Sequence, residues 1–300
     1  GEQANLTAVF ADYDGRRPPA GAGECCAPKL LQYAFMHGLR PLCMAEFWQG
    51  ASPTGEVRHH GHFYPACRSK CLPILSFMLR GLPTETDVAE RADTDIRVVY
   101  DDPWLSVVAK PAGMLSVPGK TVTDSALTRW RQRNPTATGP PVVHRLDQET
   151  SGLLIFAKDK ATHQALQQQF ELHEVCKQYV AIVDGNIADT QGVVELPLRA
   201  DPDDRPRQRV DIAGGKPCRT TYRVVERLPH GRTRLLLQPL TGRTHQLRVH
   251  CSHPLGLNAP ITGDMLYGRA DARLMLHARS LTFRHPTTNR TLTITDEPDF

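Results

Sequence analysis

The segment His144–Leu154 places residue types that can do chemistry within a pattern that would hold them rigidly. It reads HRLDQETSGLL, so a basic pair, a carboxylate and a Thr-Ser-Gly turn follow one another. Apolar runs of buried-strand length flank the turn at Val142–Leu146 and Gly152–Ala157. A carboxylate at a buried strand end is costly unless a cation pairs with it, and such a pair also keeps it ionised. Asp147 is therefore the candidate nucleophile or base.

A candidate cation for this carboxylate lies far downstream, in Leu240–His250, which reads LTGRTHQLRVH. Gly242 and Thr244 are typical of a turn and an N-cap before a short helix, which would place Arg243 at the start of that element. We predict that Arg243 pairs with Asp147. The residue types alone leave a purely structural ion pair open as an alternative.

Missing motifs exclude several other chemistries. The chain contains no G-x-G-x-x-G fingerprint, no Walker A sequence and no G-x-S-x-G elbow. Pro65–Cys71 carries two cysteines, but their spacing differs from that of a zinc deaminase and no H-x-E precedes them.

Short β-branched and apolar runs dominate the chain after Ile96 and must position these residues. Beyond the two runs already named, we predict strands at Ile96–Tyr100, Leu105–Ala109, Tyr179–Val183, Thr220–Val225, Arg232–Gln238, Leu281–His285 and Thr291–Thr295, the last two as a hairpin. Asp159 is a good N-cap for a helix that continues to Gln169. Many strands with few helices between them predict an α+β fold with a mixed, largely antiparallel sheet and flanking helices.

The first part of the chain has a different character. We predict a small N-terminal extension at 1–82, an acidic, Thr-rich linker at 83–95 and a main domain at 96–300. The extension should contain one helix from Pro28 to a C-cap at Gly38 and a second near Leu72–Leu79.

Composition favours a soluble cytoplasmic protein. Hydrophobic residues make up 40% and charged residues 23% of the chain, as in ordinary globular domains. There is no apolar run long enough to span a bilayer and no signal-peptide pattern at the start. Eight unevenly spread cysteines are too few for a secreted disulfide scaffold, so a reducing compartment is expected.

Charge is concentrated in one region. The chain has a net charge of +4, but the stretch 203–250 alone holds eleven Lys or Arg against four acids. Such a segment suggests a polyanionic partner, because cations that meet phosphates release condensed counterions. A solvated arginine-rich face is the alternative.

These motifs resemble the RluA-type pseudouridine synthases. The segment HRLDQETSGLLIFAKD resembles the signature of that family, and GRTHQLRVH resembles its G-R-[ST]-H-Q-[IL]-R-x-H segment. Other segments match its first, tyrosine and closing motifs in the same order: Lys110–Leu115 with Val117–Gly119, Lys177–Ala181, and Leu276–Ala278 with Leu281–Pro286. The match extends from about Ile96 to Ile294, and the two long motifs together are highly specific.

The resemblance implies roles for matched positions. Asp147 matches the essential aspartate, Tyr179 the tyrosine that stacks on the target uracil, and Arg243 the arginine that pairs with the aspartate. Leu276 matches the apolar residue beneath the base, and Arg145 a residue that fills the space left by the flipped nucleotide. We also predict substrate contacts for further residues of the two long motifs: His144, Thr244 and Gln246.

The implied reaction breaks the N1–C1′ bond of a uridine in structured ribosomal or transfer RNA, turns the uracil and joins C5 to C1′. Asp147 would either attack C1′ or remove a sugar proton, and the sequence leaves both routes open. No redox change occurs, so we expect no cofactor and no catalytic metal. The alternative from another class is a catalytically silent RNA-binding or RNA-folding factor on the same scaffold. A monomer that contacts no membrane is expected.

The N-terminal extension resembles the cysteine-bearing extension of one RluA-like subgroup and shows no S4-like RNA-binding pattern. Cys25 or Cys26, together with Cys67 and Cys71, could bind a tetrahedral zinc ion. The fourth ligand would be one of three nearby histidines: His59, His60 or His62. Buried free thiols in a small domain are the alternative.

Overall fold

A computed structural model describes residues 3–42, 44–51, 60–61, 66–67, 69–80, 82, 95–119 and 122–300. The chain divides into two units, 1–85 and 86–300. The predicted linker lies outside the described residues except for Asp95. None of the helices in the described parts has the length and apolar character needed to cross a bilayer.

The described part of the N-terminal unit contains three helices. They are α1 (Leu6–Asp14), α2 (Cys26–Met36) and α3 (Leu72–Met78). The last two correspond to the predicted helices, although α2 begins before Pro28. Helix α1 was not predicted from the sequence; the side chain of Asn5 caps it by accepting a hydrogen bond from Ala8 N at 2.8 Å.

The C-terminal unit is built on a mixed sheet. Its strands are β1 (Arg97–Asp101), β2 (Leu105–Lys110), β3 (Ser151–Ala157), β4 (Cys176–Asp184), β5 (Gln191–Val194), β6 (Leu198–Ala200), β7 (Gln208–Val210), β8 (Thr220–Leu228), β9 (Arg232–Pro239), β10 (Leu276–Arg284) and β11 (Thr291–Thr295). Its helices are α4 (Ala126–Arg133), α5 (Lys160–Glu171) and α6 (Gln246–Ser252), and a short 3-10 turn occupies Pro229–Gly231. Asp159 caps α5 as predicted.

Nine of these strands form one sheet in the order β1-β2-β3-β10-β4-β9-β8-β5, with β11 on β10, and β6 and β7 form a separate hairpin. The sheet is antiparallel except where β10 runs parallel to β3. This is the mixed, largely antiparallel sheet that the sequence predicts, including the terminal hairpin of β10 and β11.

The parallel contact between β3 and β10 requires a glycine. Gly152 has φ +110°, and a Cβ atom there would lie only 2.4 Å from the carbonyl oxygen of Ala278. Any other residue would force the two strands apart. The contact joins the two halves of the sheet at the strand that follows Asp147 in the chain.

One predicted strand is wrong. Val142–Leu146 does not form a strand, and only Val142 makes an isolated bridge, to Phe156. The backbone of Leu146 is instead bonded to the side chain of Ser116, which keeps this segment as an extended loop outside the sheet.

Candidate active site

An open cleft of about 840 Å³ lies in the C-terminal unit. Every site residue predicted from the sequence lines it, from four separate parts of the chain: His144, Arg145, Asp147, Tyr179, Arg243, Thr244, Gln246 and Leu276. The topology explains this convergence, because β3, β10, β4 and β9 are consecutive neighbours in the sheet.

The backbone on the N-terminal side of Asp147 is held by a single serine. Ser116 Oγ donates to the carbonyl of Leu146 at 2.7 Å and accepts from its N–H at 3.0 Å. Both groups are buried, so the serine satisfies two backbone groups that no strand partner satisfies.

The backbone on the C-terminal side of Asp147 is held by the loop after β2. Gly113 N donates to the carbonyl of Gln148 at 3.0 Å, and Gln148 Nε2 donates to the carbonyl of Gly113 at 3.1 Å. Lys110 Nζ donates to three carbonyls, those of Gln148 at 2.9 Å, Met114 at 2.8 Å and Pro111 at 3.0 Å. Burial lowers the pKa of Lys110 to about 7, against the charges of nearby acids. The aspartate is therefore fixed from both sides before any substrate binds.

The cation beside Asp147 is Arg248, and the predicted pairing with Arg243 is wrong. Arg248 Nη1 lies 4.0 Å from Asp147 Oδ2, whereas no ion pair joins the aspartate to Arg243 among the described residues. Arg243 is exposed at the mouth of the cleft, because α6 begins only at Gln246. Arg248, on the first turn of α6, points inward instead.

Asp264 determines how Arg248 is oriented. Arg248 donates from Nε to Asp264 Oδ2 at 2.8 Å and from Nη2 to Oδ1 at 2.6 Å, a buried bidentate pair. The same carboxylate accepts from the backbone N–H groups of Leu266 and Tyr267. The carboxylate of Asp147 itself makes no hydrogen bond within the described part of the chain, so it is available to a substrate.

His245 is the second group that faces Asp147. Its Nε2 lies 4.0 Å from Asp147 Oδ2, and its Nδ1 lies 2.8 Å from the hydroxyl of Tyr267. Burial lowers the pKa of His245 although the charge of Asp147 acts in the opposite direction. The residue has φ +53°, a left-handed conformation that is uncommon outside glycine and often marks functional positions.

The hydrogen bonds of Tyr267 assign the tautomer of His245. The Tyr267 oxygen accepts from Gln208 N at 2.7 Å, and burial raises the pKa of this phenol to about 12, so it keeps its proton. If its O–H donates to Nδ1, every polar atom in the chain of bonds has a partner. The ring proton of His245 is then on Nε2 and faces Asp147.

In the segment GRTHQLRVH, Thr244 and Gln246 do not have the roles that the sequence predicts. His245, and not Thr244, is the N-cap residue of α6, and its side chain makes no capping bond. Gln246 is buried and uses its whole amide internally: Oε1 accepts from Thr241 Oγ1 and Arg243 N, and Nε2 donates to Thr220 Oγ1 and the carbonyl of Arg219. It has no donor or acceptor left for a substrate.

Tyr179 and Leu276 form the apolar side of the cleft. They lie on the neighbouring strands β4 and β10, where Tyr179 pairs with Ala278 and Leu276 pairs with Ala181. Burial raises the pKa of Tyr179, and the charge of Asp147 adds to the effect, so the phenol is neutral. A neutral ring next to a buried leucine can take a flat, uncharged base.

His144 and Arg145 point in different directions. His144 Nε2 accepts from Ile155 N at 3.1 Å, and its ring stacks on Phe170 with centroids 4.7 Å apart. Burial, together with the charge of Lys177, lowers the pKa of His144 to about 3. It therefore braces β3 as a neutral ring, whereas Arg145 is exposed at the cleft.

Ion pairs neutralise about half of the basic stretch at 203–250. Six of its eleven cations face a carboxylate within 4.0 Å: Arg207, Arg209, Arg219, Arg232, Arg234 and Arg248. For the other five, the described residues offer no ion-pair partner: Arg205, Lys216, Arg223, Arg227 and Arg243. Of these, Arg243 lines the cleft.

Known proteins share this fold and these motifs. A family model described as RNA pseudouridylate synthase matches residues 105–253. The dual-specificity RNA pseudouridine synthase RluA of Haemophilus influenzae is 42% identical over 210 residues, which cover 68% of this chain and 93% of that protein. The protein of the same name from Escherichia coli K12 is 43% identical with the same coverage. The chain belongs to the RluA-type pseudouridine synthase family.

Solved structures agree with this assignment. Human RNA Pseudouridylate Synthase Domain Containing 1 superposes on this pseudouridine synthase with a TM-score of 0.59 at 28% identity, covering 73% of this chain and 87% of that one. Human RNA Pseudouridylate Synthase Domain Containing 4 gives a TM-score of 0.55 at 25% identity, with 68% and 89% covered. The family, the α+β fold class and an isomerase that acts on uridine in RNA, all predicted from the sequence, are thereby confirmed.

Proposed function

We propose that this pseudouridine synthase takes single uridines out of structured RNA and isomerises them with Asp147. One observation carries the proposal: the Asp147 carboxylate, held rigidly and free of hydrogen bonds within the described residues, faces the cleft that Tyr179 and Leu276 also line. A carboxylate in that position can reach a ribose whose base lies against the tyrosine and the leucine.

The site residues divide the reaction between sugar and base. The N1–C1′ bond breaks, the uracil turns, a C5–C1′ bond forms, and the proton lost from C5 is balanced by one gained at N1. Asp147 acts at the ribose, either by attack at C1′ or by removal of a sugar proton. Both routes need a carboxylate, and Arg248 Nη1 and His245 Nε2 each lie 4.0 Å from its Oδ2, where they can stabilise negative charge during the reaction.

Tyr179 acts at the base. Its raised pKa keeps the hydroxyl protonated, so its first task is to provide a platform on which the uracil stacks and turns. Removal of the C5 proton by this residue requires that its own proton leave at the same time. Asp147 lines the same cleft. Once its carboxylate is no longer engaged with the sugar, it can accept the proton that leaves Tyr179.

The exposed cations of the cleft act on the RNA around the target. A base must leave its stack to reach Asp147, which costs a few kcal/mol and favours loops and weak pairs. Arg145 is exposed at the cleft and can occupy the space that the base leaves. Arg243 and Thr244, also exposed, are placed to contact the flanking backbone.

We propose ribosomal or transfer RNA as the substrate class. The bacterial relatives are named dual-specificity RNA pseudouridine synthases, and an open cleft with exposed arginines suits loops from more than one RNA. We further propose that the enzyme works in the cytoplasm, since all seven cysteines that the structure describes are free thiols.

Replacing Asp147 tests the function directly. Asp147→Asn keeps the shape but removes the ionised carboxylate, so it should bind RNA normally and convert no uridine. The matched control is Glu149→Gln, an acid two residues away that does not line the cleft, which should keep near-wild-type conversion. Conversion is measured as tritium release from C5-labelled uridine in transcribed ribosomal and transfer RNA. Turnover by the Asn variant, or binding without conversion by the wild type, would contradict the proposal, and the latter would favour a silent RNA-binding factor.

A further inference from the structure

Three cysteines of the N-terminal unit bring their sulfurs together. The Sγ atoms of Cys25, Cys67 and Cys71 all lie within 4.8 Å of one another. Cys25 directly precedes α2, and Cys71 directly precedes α3. The N–H groups of Cys71 and Leu72 both donate to the carbonyl of Cys67 at 3.0 Å, which closes a turn and brings two of the three thiols to one side.

The described part of this unit has a small apolar core. Its buried hydrophobic residues, apart from the prolines, are Val9, Phe10, Ala27, Leu31, Cys71, Ile74 and Leu75. Ten large hydrophobic residues among those described in this unit are exposed, including Leu42 at 90%, Met36 at 73% and Leu30 at 63%. Small domains that bury so little apolar surface usually need a disulfide or a metal ion to stabilise the fold.

We propose that Cys25, Cys67 and Cys71 bind one structural zinc ion. Thiolates are the preferred ligands of structural zinc, and Zn–S bonds of about 2.3 Å in a tetrahedron require sulfurs about 3.8 Å apart. The observed separations allow this with small rotations of the three side chains. The zinc ion joins the start of α2 to the turn before α3, and so takes the stabilising role that the small core does not fill.

The fourth ligand is a water molecule or a further side chain. The sequence left either Cys25 or Cys26 as a ligand. Cys26 is exposed and does not belong to the cluster, so Cys25 is the ligand. His60 accepts from Gly50 N through Nδ1 and also stands outside the cluster. His59, His62 and Cys43 lie outside the described residues. The proposal is therefore confined to the three thiolates.

Metal content of the purified full-length protein tests the site. Elemental analysis after gel filtration in a mild chelator should find about one zinc per chain in the wild type. Cys25→Ser and Cys67→Ser should lose it, whereas two matched controls should retain it: Cys26→Ser, next to the site, and Cys176→Ser, in the C-terminal unit. Cobalt(II) reconstitution should give the intense visible bands of a tetrahedral ion together with thiolate-to-cobalt charge transfer, in the wild type and the controls only.

Zinc content and the cobalt spectrum do not depend on RNA modification. A failure of this proposal can therefore be distinguished from a failure of the proposed function. Cys71 is buried, and its replacement risks unfolding, but Cys25 is exposed and its serine variant should fold. A wild-type protein without zinc that also fails to bind cobalt would overturn the proposal. So would retention of zinc by both Cys25→Ser and Cys67→Ser.

Discussion

Arg248 and Asp264 form a bidentate ion pair, with N···O distances of 2.8 and 2.6 Å, in the interior beside the cleft. The pair uses two guanidinium nitrogens and leaves the third 4.0 Å from Asp147. The positive charge near Asp147 is thus oriented by a different carboxylate. Because Asp264 already holds Arg248 in place, the arginine does not have to move when a ribose binds next to Asp147.

Arg248→Lys should therefore lower activity far more than Arg243→Lys. A lysine at 248 keeps the charge but cannot both pair with Asp264 through a planar fork and face Asp147. We expect the single-turnover rate at saturating RNA to fall by about 100-fold for Arg248→Lys and much less for Arg243→Lys. Thermal unfolding must accompany the assay, because disturbing a buried pair also destabilises the fold. The opposite ranking would restore Arg243 as the partner of the aspartate.

Tyr267→Phe should lower kcat without weakening RNA binding. The substitution removes the hydroxyl that orients His245 through Nδ1, so the proton on Nε2 is no longer favoured. We expect a fall in kcat of about tenfold, within the range of single hydrogen-bond effects on catalysis, with an unchanged Kd for RNA. Tyr222→Phe, which removes a hydroxyl from β8 outside the cleft, is the control and should leave both constants unchanged. An equal fall in kcat in both variants would show that the effect is not specific to the Tyr267 hydroxyl.

Ser116→Ala should lower both kcat and folding stability, whereas Ser125→Ala should lower folding stability alone. The variant leaves the buried N–H and C=O of Leu146 without partners, which costs about 2 kcal/mol of folding stability, and it lets Asp147 move, which should lower kcat by at least about tenfold. Ser125→Ala removes the N-cap of α4 and should cost about 1 kcal/mol at full kcat, since that helix end does not line the cleft. Urea unfolding and single-turnover assays measure the two effects. Full activity in Ser116→Ala would show that Ser116 is not needed to position Asp147.

His144 should make the fold sensitive to acid. Its pKa of about 3 lies below the unfolded value of about 6.5, so the unfolded chain binds more protons between these values. Stability is therefore fully present above pH 6.5 and decreases as the pH falls toward 3. His144→Gln keeps an acceptor for Ile155 N but cannot titrate. Between pH 7 and pH 5 the wild type should lose on the order of 2 kcal/mol more than the variant; parallel losses in urea unfolding would contradict the prediction.

Arg145 and Arg243 should contribute to RNA affinity through phosphates. Both are exposed at the cleft and neither faces a carboxylate among the described residues. Replacing both with alanine should weaken binding to any RNA and flatten the dependence of log Kd on log salt by up to about 0.7 to 0.9 per lost contact. Arg207 and Arg209, already paired with Asp204 and Asp201, are the matched double control. A larger effect of the control pair would move the RNA path to the β6–β7 hairpin.

The sequence predicts the family, the residues of the cleft and most strands of the large sheet, because each depends on local pattern, but it does not predict the short strands β5, β6 and β7. Alternation of apolar residues marks most of the sheet, and the two long motifs carry the residues that converge. Val142–Leu146 is an exception. Its apolar residues suit a strand, but the bonds of Ser116 to Leu146, thirty residues apart, keep it outside the sheet.

The choice between Arg243 and Arg248 could not be made from the motif alone. Both lie in GRTHQLRVH, and which one faces Asp147 depends on where α6 begins and on the left-handed turn at His245. Asp264 and Tyr267, which orient these groups, lie in a loop with no motif of its own. A buried carboxylate near an arginine in space leaves no local signal in the sequence.

The parallel contact at Gly152 also bears on when the enzyme can first work. Asp147 precedes β3, Tyr179 lies on β4, and β10 is the strand that stands between them. Ribosomes deliver β10 after β3, β4 and β9, and distant contacts form only when both partners are present. Until Leu276–Arg284 has emerged, the two halves of the active site have no common scaffold. We therefore expect a growing chain that still lacks β10 to be inactive toward RNA.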